Sequence, residues 1–355
     1  MENDEPARAT AWGPAALGSL ALTLLVVLAT FVILQATATV SIALVLAVLL
    51  AVLFAPVAAR LEGWGLPRAA SSAAVILVVL VAVGAVALLF YLSLAELMSQ
   101  QAAYVERWAA IEADLSRMTT ERIGVDVPEE LRGQVAGERG QALAVLARGF
   151  DSVTSVASAS VFILLFLAYL VASRRHLYAK VVDAAATLGW GDEGSADAVL
   201  ADVGERIRVY LWVKSVVSVS TGVAFGSVAA LLGLDFPLVW GFLGFALNYI
   251  PSIGPLVAMV PPIVVAFLQF DGIAYPLFVS VAMGSVQFLS GNVIEPTVLG
   301  HRLGLNFLTV LISISVFGLL WGFVGMVLAV PLTAALVTAL GHTERHRAIA
   351  VLLSD

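Results

Sequence analysis

Long charge-free stretches are the feature that most constrains the fold. No Asp, Glu, Lys or Arg occurs between Arg8 and Arg60, and similar stretches recur along the chain, at 69–95, 152–173, 236–270, 272–294 and 303–343. About 20 apolar residues cross the hydrocarbon core of a bilayer as a helix, whereas a helix of a soluble protein needs a polar face. The sequence therefore predicts an all-α, polytopic membrane protein with about 7–8 membrane segments.

Composition excludes several other classes of protein. Hydrophobic residues make up 61% of the chain and charged residues 12%, against roughly 25% charged residues in a soluble domain. The apolar runs do not alternate with polar residues, as the strands of a membrane barrel do. Without cysteine, disulfides and thiolate chemistry are excluded. The acidic N-terminus lacks the basic region of a signal peptide, so we expect the first span to be retained.

Basic residues predict the orientation of the spans. Arg60 and Arg68 bracket the short loop after the second span, and Arg174 and Arg175 follow the fourth span. Cytoplasmic loops are enriched in Lys and Arg, so both loops are predicted to be cytoplasmic. The parity of the spans then places both termini in the cytoplasm and residues 96–151 outside.

These assignments divide the chain into five regions. An apolar stripe of Trp108, Ile111, Leu115 and Met118 recurs at helical spacing and predicts that the insertion outside the membrane is helical. The predicted regions are membrane spans one to three (1–95), the extracytoplasmic helical insertion (96–151), span four with a cytoplasmic helical segment (152–208), a C-terminal transport core (209–341) and a cytoplasmic tail (342–355).

Two charge-free runs in the C-terminal half are predicted to be broken hairpins. Prolines and glycines interrupt 236–270, and 305–340 is expected to turn near Gly318 to Gly325. Proline removes a backbone donor, and unpaired backbone groups at membrane depth are tolerated only inside protein or beside a cavity. The sequence leaves open whether these hairpins are re-entrant or spanning. Leu238–Gly244 also resembles Leu319–Gly325, either as an internal repeat or by chance.

The first candidate site is the interruption in 236–270. Asn248 and Ser252 offer an amide and a hydroxyl beside Pro251, Gly254 and Pro255. A broken helix of this kind can present its termini and free carbonyls to a polar solute. The alternative is an ordinary loop at the membrane interface.

The second candidate site lies at the end of the next span. Gln287 and Glu295 share a helical face, and Asn292 is three residues from Glu295. Glu295 is a candidate for proton or cation coupling, with Arg302 nearby; alternatively, the two form a structural ion pair at the membrane surface. Lys214, near the start of span five, is expected to extend its amine to the lipid headgroups.

Enzymatic signatures are not found in the sequence. It contains no phosphate-binding Gly-x-x-x-x-Gly-Lys-Ser/Thr loop and no Gly-x-Ser-x-Gly motif. The four histidines fall at predicted cytoplasmic margins, and His342 and His346, four residues apart, fit a basic tail better than a metal site. We therefore predict that the protein is not an enzyme and uses no cofactor or metal; we also expect no nucleic-acid partner.

Three segments together resemble the AI-2E (autoinducer-2 exporter, PerM-like) transporter family. They are Asn248–Pro255, Gly291–Pro296 continuing to Leu305–Asn306, and Gly325 to Pro331–Leu332. The resemblance implies a bacterial inner-membrane transporter, with members linked to autoinducer-2 export or to sodium/proton exchange, and a pentameric homo-oligomer. Ser252 stands where the family commonly has an aromatic residue, which weakens a ligand role at that position.

Three functional hypotheses follow. The first is a secondary transporter that exports a small polar molecule, such as autoinducer-2, with the two hairpins as the wall of the pathway. The second is a sodium (lithium)/proton antiporter in which Glu295 carries the exchange. The third is a membrane scaffold or assembly factor that binds partners through residues 96–151.

Overall fold

Within the part of the chain that the structure describes, every regular element is a helix. The computed structural model describes residues 14–100, 102–110, 113, 117, 159–187, 193–270, 272–299, 304–342 and 347–354. Five of the described helices are long and apolar enough to cross a bilayer, or six if one bent pair counts as a span. The predicted all-α, polytopic membrane architecture is confirmed. Most of the predicted insertion 96–151 lies outside the described residues.

The helices are numbered here in chain order. The N-terminal half contains α1 Pro14–Ala36, α2 Ala38–Gly63, α3 Arg68–Ser99, α4 (102–110), α5 Ala159–Ala172 and α6 Arg174–Thr187. The C-terminal half contains α7 Glu193–Leu231, α8 Pro237–Leu247, α9 Ile253–Gln269, α10 Ala274–Phe288, a π-helix Leu289–Ile294, α11 Glu295–Leu299, α12 Phe307–Gly341 and α13 Arg347–Leu353.

Helices α5 and α6 meet at an angle of 81°. An ion pair of 2.6 Å between Arg174 and Glu62 ties the start of α6 to the end of α2. The loop between Arg60 and Arg68 and the basic pair after α5 therefore lie at the same end of the molecule. This agrees with the parity predicted from the basic residues; the side of the membrane stays a prediction.

Helix α7 is the central element of the C-terminal half. It has 39 residues, which is about 58 Å at about 1.5 Å per residue, and it runs continuously through the boundary predicted between 208 and 209. Helix α8 packs against it where both helices carry glycine: a Cβ on Gly222 would lie 2.7 Å from the carbonyl oxygen of Gly241. Small residues allow two membrane helices to approach this closely.

Helices α8 and α9 form the first predicted hairpin. With 11 residues, α8 is about 16 Å long, too short for a hydrocarbon core of about 30 Å. The chain reverses over 248–252, and the Gln269 amide at the end of α9 donates to the carbonyl of Gly233, at 2.7 Å, just before α8. The prediction of two short helices joined by an interruption is confirmed.

The base of this hairpin is closed by a polar cluster. The Tyr104 hydroxyl donates to Asp235 Oδ2 at 2.6 Å, and the backbone amide of Asp235 donates to Gln269 Oε1 at 2.8 Å. Burial and the neighbouring Asp235 carboxylate raise the pKa of Tyr104, so its hydroxyl keeps its proton and remains a donor. We call Tyr104, Asp235 and Gln269 the base cluster.

Helix α12 contains the second predicted hairpin. Its backbone leaves the helical region at Trp321 and at Gly322, where φ is 61°. Thr333 then lies beside Ser313, with their hydroxyls 2.8 Å apart. The turn predicted between Gly318 and Gly325 is therefore confirmed. The predicted tail is not free, since the Asn306 side chain donates to the carbonyl of Leu352 in α13 at 3.0 Å.

The resemblance between Leu238–Gly244 and Leu319–Gly325 does not reflect a structural repeat. The first segment lies within helix α8, whereas the second contains the turn at Trp321 and Gly322. Of the two alternatives, chance similarity is the one that fits, because similar residues adopt different backbone conformations in the two hairpins.

Candidate functional site

The tip of the α8–α9 hairpin lies beside a cavity of about 900 Å³. Four elements form its wall: the middle of α7, the start of α9, the α10–π-helix–α11 segment and the start of α12. Most of the wall is apolar. Its polar side chains are Lys214, Ser252, Gln287, Asn292 and Glu295. An apolar pocket with a few convergent polar groups is typical of a small-molecule site.

The interruption between α8 and α9 has a strained backbone at the cavity. Ser252 has a φ of 63°, which is uncommon for a residue with a side chain. Gly254 is sterically required, since a Cβ there would lie 1.8 Å from the carbonyl oxygen of Leu247. This reversal turns Pro251, Ser252 and Pro255 toward the cavity.

Two side chains fasten the tip to α7. The buried amide of Asn248 donates to Ser218 Oγ at 3.0 Å, and the Tyr249 hydroxyl lies 3.0 Å from Ser215 Oγ. Asn248 and Gly254 are therefore behind the wall of the cavity and do not line it. Their geometry positions the tip, whereas the sequence placed both in the substrate pathway.

A π-helix connects α10 with α11 on the other side of the cavity. Single turns of π-helix within α-helices occur frequently at functional sites. A hydrogen bond between the hydroxyls of Ser290 and Thr221 holds this turn against α7. The wider turn lets both Asn292 and Glu295 reach the cavity together with Gln287. Arg302 lies outside the described residues.

An ion pair crosses the cavity wall from α7 to α11. Lys214 Nζ lies 2.6 Å from Glu295 Oε1, and the exposed fractions of the two side chains are 2% and 21%. The expectation that Lys214 reaches the headgroups was wrong: the side chain is buried, and its ammonium pairs with a carboxylate of the same chain. Desolvation of each buried ion costs several kcal/mol, so breaking such a pair by removing one partner costs about 3–5 kcal/mol.

Gln287 is buried at the cavity without a partner for its amide. Its side chain is 6% exposed, and neither the oxygen nor the nitrogen of the amide is hydrogen-bonded to any described residue. The Tyr210 hydroxyl, one helical turn before Lys214, is also buried and unpaired within the described residues. A buried polar group left unpaired costs about 1–3 kcal/mol. Of the two, Gln287 lines the cavity, so its amide is the group that a polar solute can pair with.

Six residues predicted from the sequence meet at this cavity: Pro251, Ser252, Pro255, Gln287, Asn292 and Glu295. The residue missed was Lys214. A signal was available, since Lys214, Ser218 and Thr221 recur at helical spacing on one face of the mostly apolar second half of α7, and all three are buried. Among the described residues, no group of three or more His, Cys, Asp or Glu side chains is placed to hold a metal.

Comparisons with known proteins agree with a transport role. Residues 21–345 match the family described as AI-2E family transporter. The chain is 31% identical over 315 residues to the AI-2 transport protein TqsA of Escherichia coli (strain K12), covering 88% of both chains. It is 38% identical over 144 residues to YhhT of the same organism, covering 41% of each chain. It is also 30% identical over 182 residues to YrrI of Bacillus subtilis (strain 168), covering 51% of this chain and 50% of YrrI.

Proposed function

Because the chain belongs to the AI-2E transporter family, we propose that it is a secondary transporter that exports a small polar molecule through the cavity at the hairpin tip. The similarity to TqsA, whose name describes AI-2 transport, makes autoinducer-2 the first solute to test. The observation that carries the proposal is the cavity itself, where Ser252, Gln287 and Asn292 offer hydrogen bonds in an otherwise apolar wall.

The location of the cavity supports entry of the solute into the protein from the predicted cytoplasmic side. Its wall includes Leu305 and Phe307 at the start of α12, beside the C-terminal helix α13. The base cluster of Tyr104, Asp235 and Gln269 closes the opposite end of the α8–α9 hairpin. Export then requires the protein to open at the base cluster after a solute has bound at the tip.

Localisation and assembly follow from the same proposal. We place the protein in the bacterial inner membrane, with both termini in the cytoplasm and 96–151 outside. The family resemblance supports a homo-oligomer, for which a pentamer is the expectation. Native mass measurement in lipid nanodiscs tests the assembly, and protease accessibility of each terminus in vesicles of known orientation tests the topology.

Transport is tested with purified protein in liposomes. Radiolabelled autoinducer-2 is the first solute, and Gln287→Leu is the test variant because it removes the unpaired amide while keeping similar volume. Gln100→Leu is the matched control, since Gln100 is exposed at the end of α3 and does not line the cavity. We expect the wild type and the control to transport, and Gln287→Leu to lose most of the flux. Equal flux in all three proteins would remove Gln287 from the pathway.

Cation/proton exchange is the second candidate function, and one observation favours it. Glu295 is 21% exposed and lines the cavity, so a sodium ion could compete with Lys214 for its carboxylate. Proton exchange then requires the displaced ammonium, left without its counter-ion, to release its proton into the cavity. A pH-sensitive dye inside the liposomes separates the two functions, because exchange predicts a pH change on addition of sodium and solute export does not.

A further inference from the structure

Lys214 and Glu295 give the cavity wall a formal charge of zero. They are the charged side chains among the described residues that line it, and the remaining polar groups, Ser252, Gln287 and Asn292, are neutral. Lys214 is also the one charged residue in the buried core of the described chain. A charge at this depth in a membrane protein is costly and typically has a functional role.

Without Lys214 the same wall would suit a metal cation. The Glu295 carboxylate, the Gln287 amide oxygen and the Ser252 hydroxyl would remain as oxygen ligands beside the cavity, and hard cations prefer oxygen ligands. In the structure, the Lys214 ammonium occupies the position against Glu295 Oε1, at 2.6 Å, that such a cation would take.

We infer that Lys214 is a built-in counter-ion that excludes sodium and potassium from the cavity and restricts it to solutes without net charge. Glu295 acts reciprocally and disfavours anions, since an anion that approaches Lys214 also approaches the carboxylate. The inference rests on the proposed function for the identity of the site as a solute pathway. It makes Lys214 a specificity-determining residue of that site.

The buried Gln287 amide supports a neutral solute independently. Its nitrogen donates and its oxygen accepts, and both atoms are buried and unpaired among the described residues. A bare cation would pair only with the oxygen, and a bare anion only with the nitrogen. A solute that both donates and accepts, such as one with hydroxyl groups, pairs with both atoms.

The test measures ion flux in liposomes containing the full-length protein. Uptake of radioactive sodium and of iodide is compared for the wild type, Lys214→Met, Glu295→Gln and the double variant. Lys180→Met is the matched control, because Lys180 is an exposed lysine of α6. We expect Lys214→Met to raise sodium uptake at least about tenfold, since a unit charge a few ångström away changes cation affinity by more than one decade at an effective dielectric constant of about 20.

The other variants have defined outcomes. Glu295→Gln should gain iodide uptake without sodium uptake, and the double variant should show neither flux, like the wild type and the Lys180 control. Sodium uptake by the wild type that disappears in Lys214→Met would overturn the inference, because the pair would then serve cation exchange. A monodisperse Lys214→Met protein without added sodium uptake would also overturn it.

Misfolding of a variant, and failure of the proposed function, can each be distinguished from failure of this inference. If Lys214→Met elutes as an aggregate, the Glu295→Gln protein decides: no gain of iodide uptake rejects the inference. Export of labelled autoinducer-2 is measured in parallel with the wild type. Its failure would reject the proposed solute but not the charge rule, which the ion fluxes test by themselves.

Discussion

The two hairpins of the C-terminal half have similar sequence features, but their turns have different surroundings. Both lie in charge-free runs broken by glycine and proline, and both reverse at a residue with positive φ, Ser252 in one and Gly322 in the other. The tip of α8–α9 faces a cavity with polar side chains from other helices. At the tip of α12, Trp321 packs against α1: it is 8% exposed and its indole donates to the carbonyl of Leu34 at 3.3 Å, whereas Leu319 and Phe323 beside it are exposed.

The difference shows that an interrupted helix does not make a transport pathway by itself. The interruption frees backbone groups, but neighbouring helices decide whether those groups meet apolar side chains or a polar cavity. Around Ser252, helices α7, α10 and α11 supply the cavity with Lys214, Gln287 and Glu295. Around Trp321, the turn between α1 and α2 fills the space.

The largest expected effect comes from the glycine that follows each turn. Gly254→Ala and Gly325→Ala each place a Cβ 1.8 Å from a backbone carbonyl oxygen, of Leu247 and Phe317 respectively. Both hairpins should therefore lose more than about 3 kcal/mol of stability, as severe backbone clashes do. Thermal unfolding in detergent measures the loss, with Gly84→Ala as control because a Cβ there meets no atom within 4 Å.

Cysteine labelling of the Gly254→Ala and Gly325→Ala variants distinguishes the two hairpins. The chain has no cysteine, so Ser252→Cys introduces a single reactive thiol at the cavity. A membrane-impermeant maleimide labels this thiol at a measurable rate. Gly254→Ala should change that rate, whereas Gly325→Ala should change it little. Equal changes would mean that the two tips move as one unit.

A smaller loss is expected at the fastening of the α8–α9 tip. Asn248→Ala removes the bond to Ser218 and leaves a buried hydroxyl, which should cost about 1–3 kcal/mol. Ser218→Ala and the double variant complete a double-mutant cycle. A coupling energy near zero would show that the bond does not hold the tip against α7.

Gln287→Leu should separate transport from stability. Because the amide is buried and unpaired in the described structure, an apolar side chain should leave thermal stability equal or higher. Solute flux should fall roughly tenfold, equivalent to about 1.4 kcal/mol of lost binding. Thr333→Val in α12 is the converse control: it removes the bond to Ser313 and should lower stability without lowering flux.

The smallest effect is expected at Trp321 in the tip of α12. Trp321→Phe keeps the aromatic ring but removes the indole donor to Leu34, so we expect a loss of about 0.5–1.5 kcal/mol and unchanged transport. Thermal unfolding and solute uptake are measured on the same preparation. A strong loss of transport would show that the α12 tip also belongs to the pathway.

The sequence predicted the features that depend on nearby residues. The charge-free runs determine helices in a membrane, because a helix satisfies its own backbone where no water is present. Proline and glycine marked both turns, since their effects on φ and on backbone donors act locally. The helical spacing of Gln287 and Glu295 also indicated one side of the cavity correctly, even though a π-helix intervenes.

The tertiary structure alone decided which residues meet. Lys214 and Glu295 are far apart in the chain, and neither position indicates that the π-helix brings the carboxylate to the buried amine. Asn248 looked like a solute ligand but binds α7, and Leu238–Gly244 looked like a repeat of a turn but is a helix. Contacts between distant segments depend on how whole helices pack, so local patterns determine the elements and packing determines the site.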